Sequence, residues 1–195
     1  MFYLIMKLEV HGLENVPPDG ALIVACNHNT NWDVIPMQLS MQRVIFFMAK
    51  AELFKFSPLD IAFRNFGAFP VNRGEKDAWA LRHALKVLAH GQTLGMFPEG
   101  HRSKGRGLGP AKTGTARLAI EANCPILPMA ITGSDRFFKS FPHRTPVTVT
   151  FLPLIHPKPD EDPASLTDRL MFTITAALPK EMRGLYEKRV INGKL

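Results

Sequence analysis

Cysteine is scarce in this 195-residue chain, which contains only Cys26 and Cys124. Two isolated cysteines do not form the disulfide framework of a small secreted domain, so the sequence favours a reducing compartment. Cys26 stands two residues before His28, and a Cys–His nucleophile is one interpretation of this segment. We favour the other interpretation, a small buried residue, because Cys26 ends an apolar run.

Long hydrophobic runs are missing as well. No stretch of about eighteen uncharged apolar residues occurs, so the sequence predicts no transmembrane helix. The first six residues, Met1–Met6, are too short for the core of a signal peptide and lack a basic lead. They are either the remnant of an anchor or a first strand.

Tyrosine and tryptophan are rare, with two of each, which argues against stacking of single-stranded nucleic acid. Acidic residues are outnumbered, because 24 Lys and Arg stand against 17 Asp and Glu and give a net charge of +7. This excess favours an anionic partner, such as nucleic acid, an acidic membrane surface or a phosphorylated substrate.

The length suits one domain with a sizeable core. We place this domain at residues 1–183 and expect residues 184–195 to form a loose basic tail. Short apolar runs alternate with helical patterns, which predicts an α/β fold: a single layered domain with a mostly parallel mixed sheet flanked by helices. The predicted strands are Ala21–Cys26, Val44–Ala49, Ala68–Asn72, Thr93–Phe97, Ile126–Thr132 and Val147–Leu152. The predicted helices are Lys76–His90, Thr113–Ala122 and Pro163–Leu178.

The segment N-H-N-T-N-W-D follows the first predicted strand and puts Asp33 five residues after His28. A neutral imidazole can take a proton from a hydroxyl group, and a carboxylate on its other nitrogen fixes the tautomer. Residues five apart lie about 140° apart on a helix, so the pair can meet only if His28 precedes the helix. The alternative is that Asp33 merely caps the helix, with Thr30 as the other half of a capping box.

Three further blocks lie at the ends of predicted strands. The first, G-A-F-P-V-N-R-G, delivers Arg73, which either forks onto a phosphate or is a solvated surface charge. The second, M-F-P-E-G-H-R-S, brings Glu99 and Gly100 into a glycine-rich loop whose cations are Arg102, Lys104, Arg106 and Lys112. Among these cations, the Glu99 carboxylate would either pair with Arg102 or hold a substrate hydroxyl. Such a loop suits a phosphate, although a mobile basic loop is the alternative. The third, P-I-L-P-M-A-I, has Pro128 inside an apolar strand, which predicts an edge strand or a bulge.

Taken in this order, the four blocks resemble the glycerolipid acyltransferases of the lysophosphatidic acid acyltransferase (PlsC-like) family. That family carries N-H-x-S-x-x-D, G-x-x-x-V-x-R, F-P-E-G-T-R-S and P-x-x-P-x-x. The resemblance covers about residues 10–151. Two positions depart from the pattern, since Thr30 replaces the usual Ser and His101 replaces the usual Thr. The second departure leaves acceptor specificity open and adds a second titrating group.

The resemblance implies a role for each matching residue. His28 would be the general base and Asp33 its orienting partner. The glycerol-phosphate end would be bound by a set of five residues, Lys50, Arg73, Glu99, Gly100 and Arg102. Pro128 would shape the donor side, and backbone N–H groups near Gly100 are the candidates for binding the oxyanion.

The implied reaction moves a fatty acyl group from acyl-CoA or acyl-carrier protein to the sn-2 hydroxyl of 1-acylglycerol-3-phosphate, without a metal or another cofactor. Another lysophospholipid or a lyso-aminolipid is an alternative acceptor. A non-catalytic binder of anionic lipid or nucleic acid is the alternative from another class. We expect a cytoplasmic protein, peripheral on an anionic inner membrane face, that contacts the lipid through residues 44–66, where phenylalanines and cations interleave. At least half of these phenylalanines are expected to be core residues instead.

Overall fold

A computed structural model of the chain describes residues 5–55, 57–72, 78–137 and 143–187. In these ranges the chain forms seven strands and five α-helices. The strands are β1 (Met6–His11), β2 (Leu22–Cys26), β3 (Ile45–Lys50), β4 (Ala68–Val71), β5 (Thr93–Met96), β6 (Ile126–Thr132) and β7 (Thr145–Phe151). The helices are α1 (Val34–Ser40), α2 (Ser57–Asn65), α3 (Ala78–Ala89), α4 (Gly114–Glu121) and α5 (Pro163–Ala176).

All seven strands belong to one sheet, in the order β1-β7-β6-β2-β5-β3-β4. Every neighbouring pair is parallel except β6 and β7, which are antiparallel. The predicted α/β fold with a mostly parallel mixed sheet is therefore confirmed. The five strands from β6 to β4 run in the same direction, so their carboxyl ends meet at one edge of the sheet.

Apolar helices cover both faces of the sheet. All five residues of β2 are buried, as expected for a central strand packed on both sides. Helices α3, α4 and α5 pack on one face of the sheet and form a hydrophobic core with it, which includes Leu88 and Leu118. Helix α1 covers the other face, where Met37 is fully buried. Each of the five strands from β6 to β4 ends in a loop at the same edge.

The six predicted strands are present, with ends shifted by at most two residues. Met6 begins β1 and Ile5 lies in a turn, so only the last residue of the segment Met1–Met6 is shown to be in a strand. Residues 1–4 lie outside the described part. Helix α3 begins at Ala78, and the predicted start of that helix at Lys76 lies outside the described residues. The helix expected to follow Asp33, for which no end was predicted, is α1. Helix α2 was not predicted.

Pro128 lies in an internal strand, between β2 and β7, so the edge-strand alternative was wrong. Ile126 pairs with Ile155. Met129 lies three residues after Ile126 in β6. It pairs with Phe151, which lies four residues before Ile155 in the partner segment. Two residues of β6 therefore lie opposite three residues of the partner, which is a β-bulge. The bulge breaks the regular pairing where Pro128 has no N–H to donate.

The C-terminal segment is not a loose tail where the structure describes it. Gly184–Tyr186 forms a 3₁₀ turn, and Tyr186 is buried. The N–H of Leu185 donates to the Leu108 carbonyl (3.0 Å), and the Tyr186 hydroxyl accepts from the N–H of Ala111 (3.3 Å). These contacts fasten the chain end to the glycine-rich loop. The predicted domain boundary at residue 183 stays a prediction, and residues 188–195 lie outside the described part.

Candidate active site

His28 and Asp33 meet at the carboxyl end of β2. Nδ1 of His28 lies 2.9 Å from Oδ2 of Asp33. The contact forms because His28 stands in the turn before a 3₁₀ turn, Asn31–Asp33, which leads directly into α1. Thr30 is the N-cap of that turn and forms a capping box with Asp33. The two sequence interpretations of Asp33, helix cap and histidine partner, are therefore both correct geometrically.

The contact with Asp33 sets the tautomer of His28. An ionised carboxylate only accepts hydrogen bonds, so Nδ1 of the imidazole carries the proton and Nε2 has the free lone pair. The imidazole stacks on the ring of Phe97, with centroids 3.9 Å apart and an interplanar angle of 19°. Its side chain is 12% exposed and that of Asp33 is 0% exposed. His28 can thus accept a proton at Nε2 while its orientation is held from two sides.

Asp33 has donors on both oxygens. Oδ2 accepts, besides His28, the N–H groups of Asn29 (2.7 Å) and Thr30 (2.8 Å). Oδ1 accepts from the hydroxyl of Thr30 (3.3 Å) and from the hydroxyl of Ser134 (2.5 Å). A buried carboxylate requires such partners, because an unpaired buried charge is very costly.

Glu99, at the end of β5, connects the His28 turn to the glycine-rich loop. Its Oε1 accepts the N–H of His28 (3.0 Å) and its Oε2 accepts the N–H of Gly109 (2.9 Å). The residue is 1% exposed. Burial raises the pKa of the Glu99 carboxyl, against the opposing effect of these two hydrogen bonds. Glu99 therefore acts on the backbone on both sides of the site, and the predicted contact with Arg102 is not among its hydrogen bonds in the described residues.

Asn29 makes a second connection between the same two segments. Its side-chain oxygen accepts from the hydroxyl of Ser103 (3.0 Å) and from the N–H of Gly105 (2.7 Å). Its carbonyl accepts from the N–H of Lys104 (3.2 Å), and the N–H of Ser103 donates to the His28 carbonyl (2.7 Å). These four bonds tie the basic loop to the turn that carries His28, which argues against a mobile loop.

A pocket of about 380 Å³ opens beside this loop. Its walls include His101, Ser103 and Arg106 on one side and Gly184 and Leu185 on the other. Nδ1 of His101 lies 2.7 Å from the carbonyl oxygen of Glu99. Because a carbonyl oxygen can only accept a hydrogen bond, Nδ1 of His101 is the donor. His28 does not line this pocket, but Ser103, which does, donates its N–H to the His28 carbonyl. The pocket has cationic and apolar walls, so its chemistry suits a phosphate attached to an apolar group.

Two of the remaining predicted residues, Lys50 and Arg102, lie at or after the ends of strands at the same edge of the sheet, in different surroundings. Lys50 ends β3 and pairs at the surface with Glu52 (2.9 Å), with half of its side chain exposed. Arg102 is exposed. Arg73 lies outside the described residues. Their predicted roles in binding substrate stay predictions.

Gly100 has a φ of +67°, and a Cβ there would lie 3.3 Å from the Lys112 side chain. Lys112 therefore passes over this glycine and brings a cation to the site. The N–H of Gly100 donates to the Phe97 carbonyl (2.9 Å). That amide is already engaged, so an oxyanion donor must come from another group.

Cys26 is a buried residue, as favoured from the sequence. It is 0% exposed, and burial, together with the charges of Asp33 and Glu99, raises the pKa of its thiol well above the usual value. A neutral, inaccessible thiol is a poor nucleophile. The Cys–His alternative is therefore excluded.

Sequence reasoning missed three functional candidates: Asn29, Ser134 and Lys112 as a cation over Gly100. Ser134 lies in the segment T-G-S-D at the end of β6. The polar residues of this segment, at the edge of the sheet where the five strands end, were an available signal. In the part of the chain that the structure describes, no group of three or more His, Cys, Asp or Glu side chains is arranged to hold a metal. None of the described helices is long and apolar enough to cross a membrane.

Comparison with known proteins identifies the family. The model of the family described as Acyltransferase matches residues 7–132, which is most of the chain and includes His28, Asp33, Glu99 and Pro128. The chain belongs to the Acyltransferase family. The matched range contains β2 to β6 and all of β1 except Met6, so the family's segment supplies all five strands that end at the site.

Individual members of the family resemble the chain over different lengths. It is 31% identical over 127 residues to a 1-acyl-sn-glycerol-3-phosphate acyltransferase of Bacillus subtilis, covering 65% of this chain and 63% of that protein. It is 29% identical over 135 residues to one of Borreliella burgdorferi, covering 68% of this chain and 54% of that protein. The chain thus matches between about half and two thirds of the length of these two relatives.

A solved structure in the same family has the same fold. The crystal structure of the 1-acyl-sn-glycerophosphate (LPA) acyltransferase PlsC from Thermotoga maritima superimposes with a TM-score of 0.73 and is 26% identical. The match covers 98% of this chain and 74% of that chain. The fold described above, including residues beyond the family model's range, is therefore that of PlsC.

Proposed function

We propose that this chain transfers a fatty acyl group from a thioester donor to the sn-2 hydroxyl of 1-acylglycerol-3-phosphate, giving phosphatidic acid. The observation that carries the proposal is the 2.9 Å contact between His28 Nδ1 and Asp33 Oδ2, which leaves Nε2 as the base. Relatives named as 1-acyl-sn-glycerol-3-phosphate acyltransferases support the substrate class.

The reaction needs a single proton carrier. Nε2 of His28 takes the proton of the acceptor hydroxyl as its oxygen attacks the thioester carbonyl, and a tetrahedral oxyanion forms. When this intermediate collapses, the new ester forms, the carbon–sulfur bond breaks, and the imidazolium returns the proton to the departing thiolate. Asp33 stabilises the imidazolium between these steps, as the carboxylate does in a Ser-His-Asp triad. Since the donor is already activated, no covalent enzyme intermediate is required.

The glycine-rich loop supplies the phosphate-binding groups in this proposal. Arg106 lines the pocket, Lys112 passes over Gly100, and Arg102 is an exposed residue of the same loop. Lys50, Arg73, Glu99 and Gly100 remain proposed substrate-binding residues. For Glu99, the two backbone hydrogen bonds favour a role in positioning the loop rather than direct contact with the acceptor. The donor is acyl-CoA or acyl-carrier protein, and no metal or other cofactor takes part.

A lysophospholipid with a head group, or a lyso-aminolipid, is the second candidate acceptor. One observation favours it: His101 lines the pocket at the position where the family pattern has Thr. An imidazole is larger than a threonine side chain and changes charge near neutral pH, so it alters what the pocket accepts. We place the protein at the cytoplasmic face of an anionic membrane, where its lipid acceptor resides.

The test is a thiol-release assay with acyl-CoA in mixed micelles. We expect release to require lysophosphatidic acid and to be faster with it than with lysophosphatidylcholine or lysophosphatidylethanolamine. Faster release with a head-group-bearing lysolipid would favour the second candidate. The same panel is repeated with acyl-carrier protein as donor. No acceptor-dependent release from either donor, together with salt-sensitive binding to anionic lipid or nucleic acid, would contradict the enzyme and support a binding module.

A further inference from the structure

The oxygen of Asp33 that does not face His28 needs its own donors. Asp33 is 0% exposed, so Oδ1 is not in contact with bulk water. Two hydroxyl groups reach this atom. The Thr30 hydroxyl lies 3.3 Å away, a long hydrogen bond, and its oxygen already accepts the N–H of Trp32 (3.0 Å).

Ser134 is the closer donor. Its Oγ lies 2.5 Å from Oδ1 of Asp33, and the residue is 2% exposed. A hydroxyl bonded to a carboxylate at this distance is a charge-assisted hydrogen bond, which is stronger than one between neutral groups. It joins residues that are 101 positions apart in the sequence.

The fold holds Ser134 at this point by two means. Gly133 has a φ of +88°, and a Cβ there would lie 2.2 Å from the Pro146 carbonyl oxygen, so only glycine allows the turn. The side-chain amide of Asn27 donates to the Ile131 carbonyl (2.9 Å) and accepts the Ile131 N–H (2.8 Å). These two hydrogen bonds join the end of β2 to the end of β6. Asn27 precedes His28 in the sequence, and Ile131 lies two residues before Gly133.

We propose that Ser134 is a positioning residue for the His28–Asp33 pair. Its hydroxyl fixes the rotation of the Asp33 carboxylate, so Oδ2 stays directed at Nδ1 of His28 while the imidazole gains and loses its proton. The effect on rate rests on the proposed function. The effect on the His28–Asp33 hydrogen bond does not.

Substitution of Ser134 should slow the chemical step without weakening substrate binding. For Ser134→Ala we expect kcat to fall about tenfold to a hundredfold, the size expected from a lost hydrogen bond to a charged group, with KM for both substrates unchanged. Ser134→Thr keeps the hydroxyl and should restore most of kcat. Ser40→Ala is the matched control, because Ser40 is also buried and donates only to the Met37 carbonyl (3.1 Å). It should leave kcat unchanged.

The second readout does not depend on turnover. In protein labelled with ¹⁵N-histidine, the Nδ1–H proton of His28 should give a low-field NMR signal, assigned by its loss in His28→Gln. We expect this signal to move or broaden in Ser134→Ala and to stay in place in Ser40→Ala. If Ser134→Ala does not fold, Ser134→Cys keeps the side-chain volume with only a weak donor and is measured in the same way.

The outcomes separate the two proposals. A wild-type protein that transfers no acyl group, but whose His28 signal changes in Ser134→Ala, would contradict the proposed function and support the role of Ser134. A folded Ser134→Ala protein with wild-type kcat and an unmoved His28 signal would overturn the role of Ser134. A rise in KM at constant kcat would also overturn it, because it would indicate a role in substrate binding.

Discussion

Single residues at this site serve more than one neighbour. Asp33 caps the turn before α1 and also holds the imidazole of His28. Spacing predicted the pair, since a histidine before the helix start can reach a carboxylate five residues later. Spacing cannot reveal Ser134 or the bonds of Asn29 to Ser103 and Gly105, because these join segments 74 to 101 residues apart.

Glu99 illustrates how little a sequence reveals about the hydrogen-bond partners of a charged motif residue. Its cationic neighbours in the sequence suggested a partner for Arg102 or for a substrate hydroxyl. In the fold both carboxylate oxygens accept backbone N–H groups. A sequence does not reveal backbone donors, because every residue except proline carries one. The role of Glu99 therefore depends on the loop conformation, which only the structure provides.

The buried state of Glu99 predicts a pH dependence of stability. Because burial raises its pKa, the folded protein binds this proton more tightly than the unfolded chain. The carboxyl therefore contributes stability that is fully present below the unfolded pKa of about 4.3 and is lost as the pH rises through the folded pKa. Glu99→Gln removes this titration. The unfolding free energy of the wild type minus that of the variant should decrease with rising pH, by at most about 1.4 kcal/mol per pH unit.

Urea unfolding of both proteins at intervals from about pH 4 to about pH 7 measures this difference. A constant difference, or one that grows with pH, would show that the folded protein does not bind the proton more tightly.

At the scale of elements, the strands and the long helices were predictable because their apolar patterns are local. A helix was expected after Asp33, but the bounds of the short helix α1 were not predicted, since seven residues give too few turns for a pattern. From the sequence, Pro128 predicted either an edge strand or a bulge. The order of the strands, which the sequence does not reveal, decides between these alternatives. The packing of Gly184–Tyr186 was missed for a similar reason, because it depends on the shape of a loop about eighty residues earlier.

The contact between the glycine-rich loop and the C-terminal turn can be tested with two glycines in that loop. Gly105 and Gly107 both have left-handed φ values, +82° and +75°. A Cβ at Gly105 meets nothing within 4 Å, whereas one at Gly107 would lie 2.7 Å from the backbone nitrogen of Gly184. Gly105→Ala should cost about 1 kcal/mol of stability through backbone strain alone. Gly107→Ala should cost about 1–3 kcal/mol more, because the C-terminal turn must shift.

Urea unfolding gives both values. Activity adds a second measurement, since displacement of the turn opens the pocket and should raise the KM for the acceptor in Gly107→Ala only. Equal losses of stability in the two variants would contradict the packing of the C-terminal turn against the loop.

At the scale of the whole molecule, charge and exposed apolar side chains favour a membrane surface. The net charge is +7. In the predicted membrane segment, residues 44–66, Val44, Leu53, Ile61 and Phe66 are 43–61% exposed, whereas Phe47 is a core residue. The side chains of Phe56 and Phe63 lie outside the described part, so the expected share of core phenylalanines stays a prediction. Exposed apolar residues beside cations suit an anionic interface.

Binding to vesicles with and without anionic lipid tests this surface. Phe66→Asp should weaken binding to anionic vesicles about tenfold, because it removes apolar contact worth roughly 1.4 kcal/mol and adds a repelled charge. Leu13→Asp is the control. Leu13 is also exposed (48%), but it follows β1, which is at the other end of the strand order from β3 and β4. Binding should also weaken as salt rises. An equal effect of both variants would contradict docking through residues 44–66.

The central claim is that His28 is the base in an acyl transfer to a lysophospholipid. Its most direct test compares wild type and His28→Ala at equal folded concentration, with acyl-CoA and lysophosphatidic acid, by mass spectrometry of the phosphatidic acid formed. The account predicts product from the wild type and a loss of kcat of at least about a hundredfold in the variant, the contribution of a positioned general base. A folded His28→Ala protein that forms phosphatidic acid at a rate close to that of the wild type would contradict it.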